Sequence, residues 1–428
     1  MGNNTSDPTA GTAAYDAFAR ELLDTSIITD PWIAGVERFR LEPVVLSADL
    51  YARFVDVVEA VGRLWDETVR MLYADEALLE RHFHLTPWQK AMWIASGGEW
   101  HGIARADAFL LSDGRIQICE LNADTPSGEP EAVILNRIRH RHHPDLIDPN
   151  AGFEERFVAM VASTYRAEVG QRAQERPTLG ILYPTDLPED LSMIELYRTW
   201  FSARGWSVVY GSPFNLTRDA AGRLRMLDRA VDVVIRHYKT DWWSEREPVT
   251  TAEPEFLDPD ALVEPLQAIL GAELDGRVAV INPFGSVVAQ NKLALAFMHA
   301  EIDRYSDDAQ RTIRAHVPLT LRLSSTDIAS IRGERERWVL KSDYGCEGDE
   351  VVIGRTTTPE IWERTLDEAI AERWIAQEYF DAAPTPQGMI PNYGLFLVGG
   401  KAGGIFTRFS SGTTDYRAVT APTFVEAV

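Results

Sequence analysis

Two alternating segments joined by an Asp-Gly pair constrain the fold of this chain more than any other feature. Residues 105–111 (RADAFLL) and 115–122 (RIQICELN) each alternate apolar and polar side chains, a pattern typical of β-strands with one buried face. Asp113-Gly114 lies between them and is a pair that two-residue hairpin turns prefer. The sequence therefore predicts an antiparallel hairpin whose register is set by this turn.

That register places four polar side chains on one face of the hairpin. Asp107 lies opposite Glu120, and Arg105 lies opposite Asn122. Facing carboxylates repel each other, and a divalent cation between them would remove the repulsion. Two carboxylates and an amide oxygen suit Mg²⁺, which often takes its remaining ligands from water and nucleotide phosphates. A solvated face on which the acids pair with Arg105 is the alternative, and spacing alone leaves both open.

A second hairpin carries a lysine and two glycines. The segment WVLKSDYGCEGDEVVIG (338–354) indicates a strand ending in Lys341, a loop with Gly345 and Gly348, and a returning strand. Glycines allow backbone N–H groups to approach an anion closely, and the lysine adds positive charge. The loop could therefore cover a polyphosphate. It is not a Walker loop, since GxxxxGK[ST] is absent from the sequence, and a plain flexible turn is the alternative.

The periodicity of apolar residues divides the chain into four regions. Residues 1–14 are predicted to be a disordered lead-in, and residues 15–176 a helical N-terminal region that also contains the first hairpin. Within it, residues 49–73 show the apolar spacing of an amphipathic helix. Strand and helix patterns alternate over 177–235, which predicts a small α/β domain, and residues 236–428 read as an α+β region with hairpins.

Composition narrows the class of protein. A chain of 428 residues is long enough for two or three domains. Its net charge of −23 makes nucleic acid and anionic membranes poor partners, and no apolar run is long enough to span a bilayer. With two cysteines and no signal-peptide pattern at the N-terminus, the cytoplasm is the expected compartment.

Five segments spread over residues 90–428 match the pattern of a known family. They are RADAFLLSDGRIQICELNADTPSGEPEA (105–132), NPFGSVVAQNK (282–292), the Lys341 hairpin, IAQEYF (375–380) and LFLVGGKAGGIFTRFSSGTTDYR (395–417). In combination they resemble the synthetase domain of glutathionylspermidine synthase and its relatives, an ATP-grasp family. The carboxylate hairpin precedes the lysines, so the resemblance implies an α+β or α/β chain of ATP-grasp type in circularly permuted order.

The resemblance also implies a role for each matching residue. The implied Mg²⁺ ligands are Asp107, Glu120 and Asn122. Two arginines are implied at the reacting groups: Arg105 beside the transferred phosphate and acyl group, and Arg408 at the phosphoryl transition state. The residues implied in ATP binding are Lys292, Lys341, Gly345, Gly348, Gln377, Glu378 and Tyr379, with Phe380 beside them. The implied substrate contacts are Asp124, Thr125, Ser127 and Asp241, the last standing where the family usually has a glutamate.

The activity implied by the resemblance is that of an ATP- and Mg²⁺-dependent carboxylate–amine ligase, with two Mg²⁺ ions expected. A carboxylate would become an acyl phosphate, and a small-molecule amine would then convert it to an amide. The acid is expected to be amino-acid-like or a peptide. Some family members carry a fused Cys/His amidase domain that this sequence does not match, so a ligase alone is expected. A non-catalytic ATP-binding module and an ATP-dependent phosphotransferase remain open as alternatives.

Overall fold

The computed structural model describes most of the chain. The described residues are 8–184, 191–244, 262–323, 328–345, 350–369, 373–410, 412 and 417–427. Two predictions concern residues outside these ranges, namely the role of Gly348 and the order of residues 1–7. The remaining predictions about the site concern described residues.

The helices follow the apolar periodicity of the sequence in most places. In chain order they are α1 (Pro8–Asp24), α2 (Ala48–Ala74), α3 (Glu76–Phe83), α4 (Pro87–Ala95), α5 (Asn136–His140), α6 (Phe153–Val169), α7 (Leu191–Ala203), α8 (Thr240–Ser244), α9 (Val263–Leu274), α10 (Ser286–Ala289), α11 (Leu293–Ala300), α12 (Asp307–His316), α13 (Ile328–Gly333) and α14 (Pro359–Ala369). A π-helical turn at Glu131–Leu135 precedes α5. No helix within the described ranges is both long enough and apolar enough to cross a membrane.

The strands group into several sheets. In chain order they are β1 (Trp32–Ile33), β2 (Val36–Glu37), β3 (Val44–Leu46), β4 (Ile103–Leu110), β5 (Ile116–Asn122), β6 (Thr178–Leu182), β7 (Ser207–Gly211), β8 (Leu216–Arg218), β9 (Leu224–Met226), β10 (Arg229–Ala230), β11 (Val233–Arg236), β12 (Ala279–Ile281), β13 (Thr320–Arg322), β14 (Trp338–Ser342), β15 (Val351–Ile353), β16 (Trp374–Glu378), β17 (Ile390–Val398), β18 (Lys401–Ser410), β19 (Val419–Ala421) and β20 (Thr423–Val425). The fold is thus a mixture of helices and sheets, as expected.

An antiparallel sheet in the order β19-β18-β17-β4-β5 carries the first hairpin at its edge. Helix α2 packs on this sheet, and a Cβ atom at Gly62 would come within 2.8 Å of the Leu397 side chain on β17. The helix begins where predicted, because the Ser47 side chain accepts a hydrogen bond from the Leu50 backbone N–H at 3.2 Å. Its apolar stripe is buried, so it holds the hairpin sheet in place.

A second antiparallel sheet, in the order β13-β16-β14-β15, carries Lys341 and Gln377. A separate parallel sheet, in the order β12-β11-β6-β7, forms the α/β unit. Strand β12 lies beyond the predicted boundary at residue 235, because its apolar side chains are buried beside β11. The α/β unit therefore recruits a strand from a later part of the chain than the sequence pattern suggested.

The N-terminal region contains more helix than expected. Residues 8–14, part of the predicted disordered lead-in, belong to α1, which extends to Asp24. Apolar side chains on this helix pack into a core: Tyr15, Phe18 and Leu22 are each at most 3% exposed. Burial of this stripe explains why the helix forms despite its polar start.

Candidate functional site

The first hairpin pairs as predicted at its open end, but for a different reason. Arg105 lies opposite Asn122 and Asp107 opposite Glu120, which confirms the expected partners. The predicted two-residue turn is wrong. Leu111 N donates to Arg115 O at 2.8 Å and Gly114 N donates to Leu111 O at 2.9 Å, which closes a longer loop. Gly114 has φ 84°, the left-handed conformation that such loops place at a glycine.

A β-bulge restores the predicted register. Beyond the turn the pairs are offset by one residue, with Ala108 opposite Ile118, and the offset disappears before Asp107 pairs with Glu120. Cys119 is the extra residue of the bulge. Its carbonyl oxygen accepts hydrogen bonds from Lys341 Nζ at 3.4 Å and Gln377 Nε2 at 3.3 Å. The bulge therefore joins the hairpin to the second antiparallel sheet.

Asp107 is the centre of the site and is 2% exposed. Its Oδ1 accepts from Arg105 Nε at 2.7 Å, and its Oδ2 accepts from Arg408 Nη2 at 2.8 Å. Amide groups of Asn122 and Asn392 add contacts at 3.4 and 3.3 Å. Burial alone would raise the pKa of the Asp107 carboxyl, but the two guanidinium charges hold this pKa below its usual value. Asp107 is therefore ionised at neutral pH.

Glu120, across the hairpin, is more accessible, since its side chain is 30% exposed. Its nearest ion-pair contact is Lys292 Nζ at 3.9 Å. Lys292 is 4% exposed, and its Nζ also donates to the carbonyl of Gly345 at the start of the second hairpin's loop. Its backbone N–H donates to Asp343 O at 3.0 Å, so helix α11 begins in contact with that hairpin. Both lysines thus lie beside strand β5, Lys292 near the Glu120 carboxylate and Lys341 at the Cys119 carbonyl.

The residue types at this centre suit a divalent cation, whereas the Asp107 oxygens accept hydrogen bonds from Arg105 and Arg408 in this structure. Asp107, Glu120 and Asn122 supply two carboxylates and an amide, and buried Asn392 Oδ1 has no hydrogen-bond partner among the described residues. Oxygen ligands of this kind suit Mg²⁺. No group of three or more His, Cys, Asp or Glu side chains with metal-binding geometry occurs in the part of the chain that the structure describes. Any cation here would depend on amide, water or phosphate oxygens for its other ligands.

The residues from Gln377 to Phe380, which the resemblance implies in ATP binding, fall into two groups. Gln377 is 2% exposed, and its Oε1 accepts a hydrogen bond from Lys341 Nζ at 2.8 Å. Gln377 therefore positions the Lys341 ammonium group. Glu378, Tyr379 and Phe380 line a cavity of about 620 Å³ that also borders the first hairpin's turn. Arg355 lies over the Tyr379 ring at 4.2 Å from its centroid. The cavity is large enough for a nucleoside-sized ligand.

The residues that the resemblance implies as substrate contacts also fall into two groups, one buried residue and three partly exposed ones. Asp124 is 2% exposed and accepts from Arg236 Nη2 at 2.5 Å, Ser286 Oγ at 2.7 Å and Thr240 N at 2.6 Å. Both of its oxygens are occupied inside the protein, so its position favours a structural role over the implied substrate contact. It ties the end of the hairpin to the carboxyl end of β11.

Thr125, Ser127 and Asp241 are partly exposed and remain candidates for substrate contact. The Ser127 carbonyl accepts from Arg105 Nη1 at 2.6 Å, which places this segment next to the reacting centre. Burial raises the pKa of Asp241 to about 7; Lys239 opposes the shift, and Asp124 adds to it.

Sequence reasoning missed two polar residues near this centre. Asn392 lies on β17 beside Asp107, opposite Arg408 across the strand pair. Glu129 is fully buried in the segment after the first hairpin and accepts a hydrogen bond from Tyr197. Both follow or precede glycines and prolines in segments without clear periodicity, so no signal in the sequence separated them from ordinary loop residues.

Comparison with known proteins gives a family match. The family model described as "Glutathionylspermidine synthase preATP-grasp" matches residues 42–426. No curated protein sequence matches the chain significantly. Among solved structures, a glutathione synthetase-like effector (GSS30) from Globodera pallida, in its apo form, has a TM-score of 0.62 at 15% identity, covering 98% of both chains. That likeness shows a shared fold. A putative γ-glutamylcysteine synthetase from Methylobacillus flagellatus KT has a TM-score of 0.45 at 14% identity, covering 90% of this chain and 88% of the other.

Proposed function

The chain belongs to the glutathionylspermidine synthase preATP-grasp family, and we propose that it is an ATP-dependent carboxylate–amine ligase. Membership in a synthetase family implies small-molecule substrates, ATP and a divalent metal in general terms. In the proposed reaction a carboxylate takes the γ-phosphoryl group of ATP. The resulting acyl phosphate then reacts with an amine, which gives an amide and phosphate.

The observation that carries this proposal is a cationic centre in an acidic protein. Among the described residues, the four cations Arg105, Arg408, Lys292 and Lys341 lie around the two carboxylates Asp107 and Glu120, in a chain of net charge −23. All four cations are largely buried. Buried excess positive charge is costly unless an anion joins it. Phosphate groups of ATP and a substrate carboxylate are the anions that this reaction brings together.

The two arginines have the geometry to hold the reacting acid and phosphoryl groups. Arg105 uses Nε on Asp107 and Nη1 on the Ser127 carbonyl, which fixes the plane of its guanidinium. Arg408 reaches Asp107 through Nη2, while its Nε is buried and has no partner among the described atoms. This Nε is therefore available to donate to a developing oxyanion. Pre-positioned donors of this kind stabilise charge in a transition state at little reorganisation cost.

Lys341 hydrogen-bonds Gln377, the residue before Glu378, which lines the candidate nucleotide cavity. Lys341 is held by Gln377 and the Cys119 carbonyl, and Lys292 by the Gly345 carbonyl and Glu120. Both ammonium groups are largely buried beside the first hairpin, which suits them to contact ATP phosphates. When bound, Mg²⁺ would neutralise phosphate charge. Asp107, Glu120 and Asn122 would hold it, and we propose two ions on the family's pattern.

The proposal is tested by mass spectrometry of the full chain with ATP, Mg²⁺ and panels of acids and amines. The acids are amino acids and short peptides, and the amines include polyamines and amino acids. One pair should yield ADP, phosphate and an amide in equal amounts. Arg408→Gln should reduce turnover by about 10²–10³-fold, as the loss of one oxyanion donor does. The matched control is Arg40→Gln, because Arg40 stacks on the neighbouring Phe409 ring and lies outside the site.

Two results would contradict the ligase proposal. A stable phosphorylated acid with no amide would indicate a phosphotransferase. Binding of ATP without turnover of any pair would indicate a non-catalytic module.

A further inference from the structure

Glu129 is a buried carboxyl group with an unused oxygen. Its side chain is 0% exposed. Oε1 accepts a hydrogen bond from the Tyr197 hydroxyl at 3.0 Å, whereas Oε2 is buried and has no partner among the described residues. Buried polar atoms are nearly always paired, so an unpartnered carboxyl oxygen calls for an explanation.

The position of Glu129 links the reacting centre to the α/β unit. Ser127, two residues earlier, is partly exposed and accepts from Arg105 Nη1. Tyr197 belongs to α7, and His237 directly follows β11. Lys341 reaches the first hairpin from the second antiparallel sheet, and Lys292, which directly precedes α11, lies 3.9 Å from Glu120. Glu129 is therefore joined to helix α7 of the α/β unit through Tyr197.

The charges around Glu129 leave it balanced between its two protonation states. Burial raises the pKa of the Glu129 carboxyl to about 7. Its own backbone N–H, the charge of His237, the Tyr197 hydroxyl and the charge of Arg105 oppose that rise. A cation that arrives beside Oε2 would favour the ionised form and displace the proton.

We propose that Glu129 binds the ammonium group of the amine substrate, with Oε2 as the acceptor and Tyr197 holding Oε1. This inference rests on the proposed ligase function. A primary ammonium carries a positive charge and N–H donors, which suit a buried carboxylate oxygen without a partner. A carboxylate or phosphate in the same place would meet repulsion from Glu129. In this proposal the lysines and arginines bind the anionic groups, and Glu129 binds the ammonium group.

The same carboxylate is placed to accept the proton that the ammonium must lose. Proton transfer to Glu129 frees the nitrogen lone pair, which forms the C–N bond while the C–O bond to phosphate breaks. The second proton that leaves the nitrogen goes to the departing phosphate. The products are an amide and hydrogenphosphate, and Glu129 later returns its proton to solvent.

The test uses methylamine hydrochloride as the probe and the full chain as the receptor. Calorimetric titrations at about pH 6, below the raised pKa of Glu129, are run in buffers with different ionisation enthalpies. Wild type should bind methylammonium and release a proton. Glu129→Gln should release none and should bind at least about tenfold more weakly, since it lacks a charge-assisted acceptor. Tetramethylammonium, which has no N–H donor, should not bind.

Glu273→Gln is the matched control. Glu273 in α9 is also a carboxyl group with an unpartnered buried Oε2, and burial raises its pKa to about 8. The charge of Glu168 adds to that rise in pKa. The Glu273→Gln variant should leave methylammonium binding unchanged. Tyr197→Phe frees Oε1 but keeps the carboxylate, so it should weaken binding less than Glu129→Gln does.

Four results would overturn the inference: no binding by wild type, no proton release by wild type, equal binding by Glu129→Gln, or an equal loss in Glu273→Gln. If Glu129→Gln fails to fold, the absence of proton release by wild type would still overturn the inference. The proposed ligase function is tested by a separate assay, so each proposal can be refuted without the other. Amide formation with methylammonium binding that ignores Glu129 removes this inference alone, whereas binding at Glu129 without any ligation removes the proposed function alone.

Discussion

Asp124→Asn should destabilise the protein strongly, because Asp124 is the counter-charge of a fully buried arginine. The Arg236 side chain is 0% exposed and that of Asp124 is 3% exposed, and their ion pair measures 2.5 Å. Arg236 stays charged in any environment. An asparagine would turn an N–H₂ donor or a neutral oxygen toward the guanidinium and would leave its charge uncompensated.

The expected loss is about 3–5 kcal/mol, the usual cost of removing one partner from a buried ion pair. An unfolding entropy of about 2.1 cal/mol/K per residue over 428 residues converts this to a fall of roughly 3–6 °C in melting temperature. The control is Asp275→Asn, which breaks an exposed ion pair with Arg218. That change should cost at most about 1 kcal/mol, or about 1 °C.

Thermal and urea denaturation, followed by tryptophan fluorescence, measure these differences. The double variant Asp124→Asn/Arg236→Met should be more stable than Asp124→Asn alone, because it removes the unpaired charge. If Asp124→Asn has the same melting temperature as wild type and loses only activity, the structural role of Asp124 is refuted. Asp124 would then be a substrate contact, as the family resemblance implies.

Other substitutions should separate the roles of the remaining groups. Asp107→Asn should lower both turnover and melting temperature, because it leaves two buried arginines without their carboxylate. Glu120→Gln changes a partly exposed side chain and should lower turnover only. Lys341→Ala should weaken ATP binding by about tenfold or more, measured by calorimetry, since it removes a buried cation from the candidate phosphate site. Burial raises the pKa of Glu273 to about 8, so ionisation opposes folding as pH rises from 4.5 through that value. The melting temperature of Glu273→Gln minus that of wild type should therefore increase as the pH rises over this range. A constant difference would contradict a raised pKa for Glu273.

The hairpin shows how far the sequence could predict the site. Alternating residues identified both strands, and the partners Asp107–Glu120 and Arg105–Asn122 are correct. The turn was not predictable from Asp113-Gly114 alone, because that pair also suits a longer loop with a left-handed glycine. The bulge at Cys119 was invisible for a different reason: its carbonyl is held by residues more than two hundred positions away. Local pattern cannot report a distortion that a distant sheet stabilises.

Burial explains the other differences. The resemblance identified Asp124 by position in a motif, but only the fold reveals that Arg236 occupies it. Glu129 follows a glycine and precedes a proline, where polar residues are usually solvated, and its burial depends on α7 packing over it. Likewise, the apolar segment at 279–281 predicts a strand without indicating which sheet it joins. In all three cases, contacts with residues distant in the sequence determine where the segment or side chain lies.

The central claim is that this protein activates a carboxylate as an acyl phosphate and passes it to an amine. The most direct measurement follows ¹⁸O from a labelled carboxylate substrate, identified in the ligation panel, into the products by mass spectrometry. One ¹⁸O atom should appear in the released phosphate and one should remain in the amide, because the carboxylate oxygen that attacks ATP leaves with phosphorus. Phosphate without ¹⁸O, or label retained wholly in a phosphorylated acid, would contradict the account.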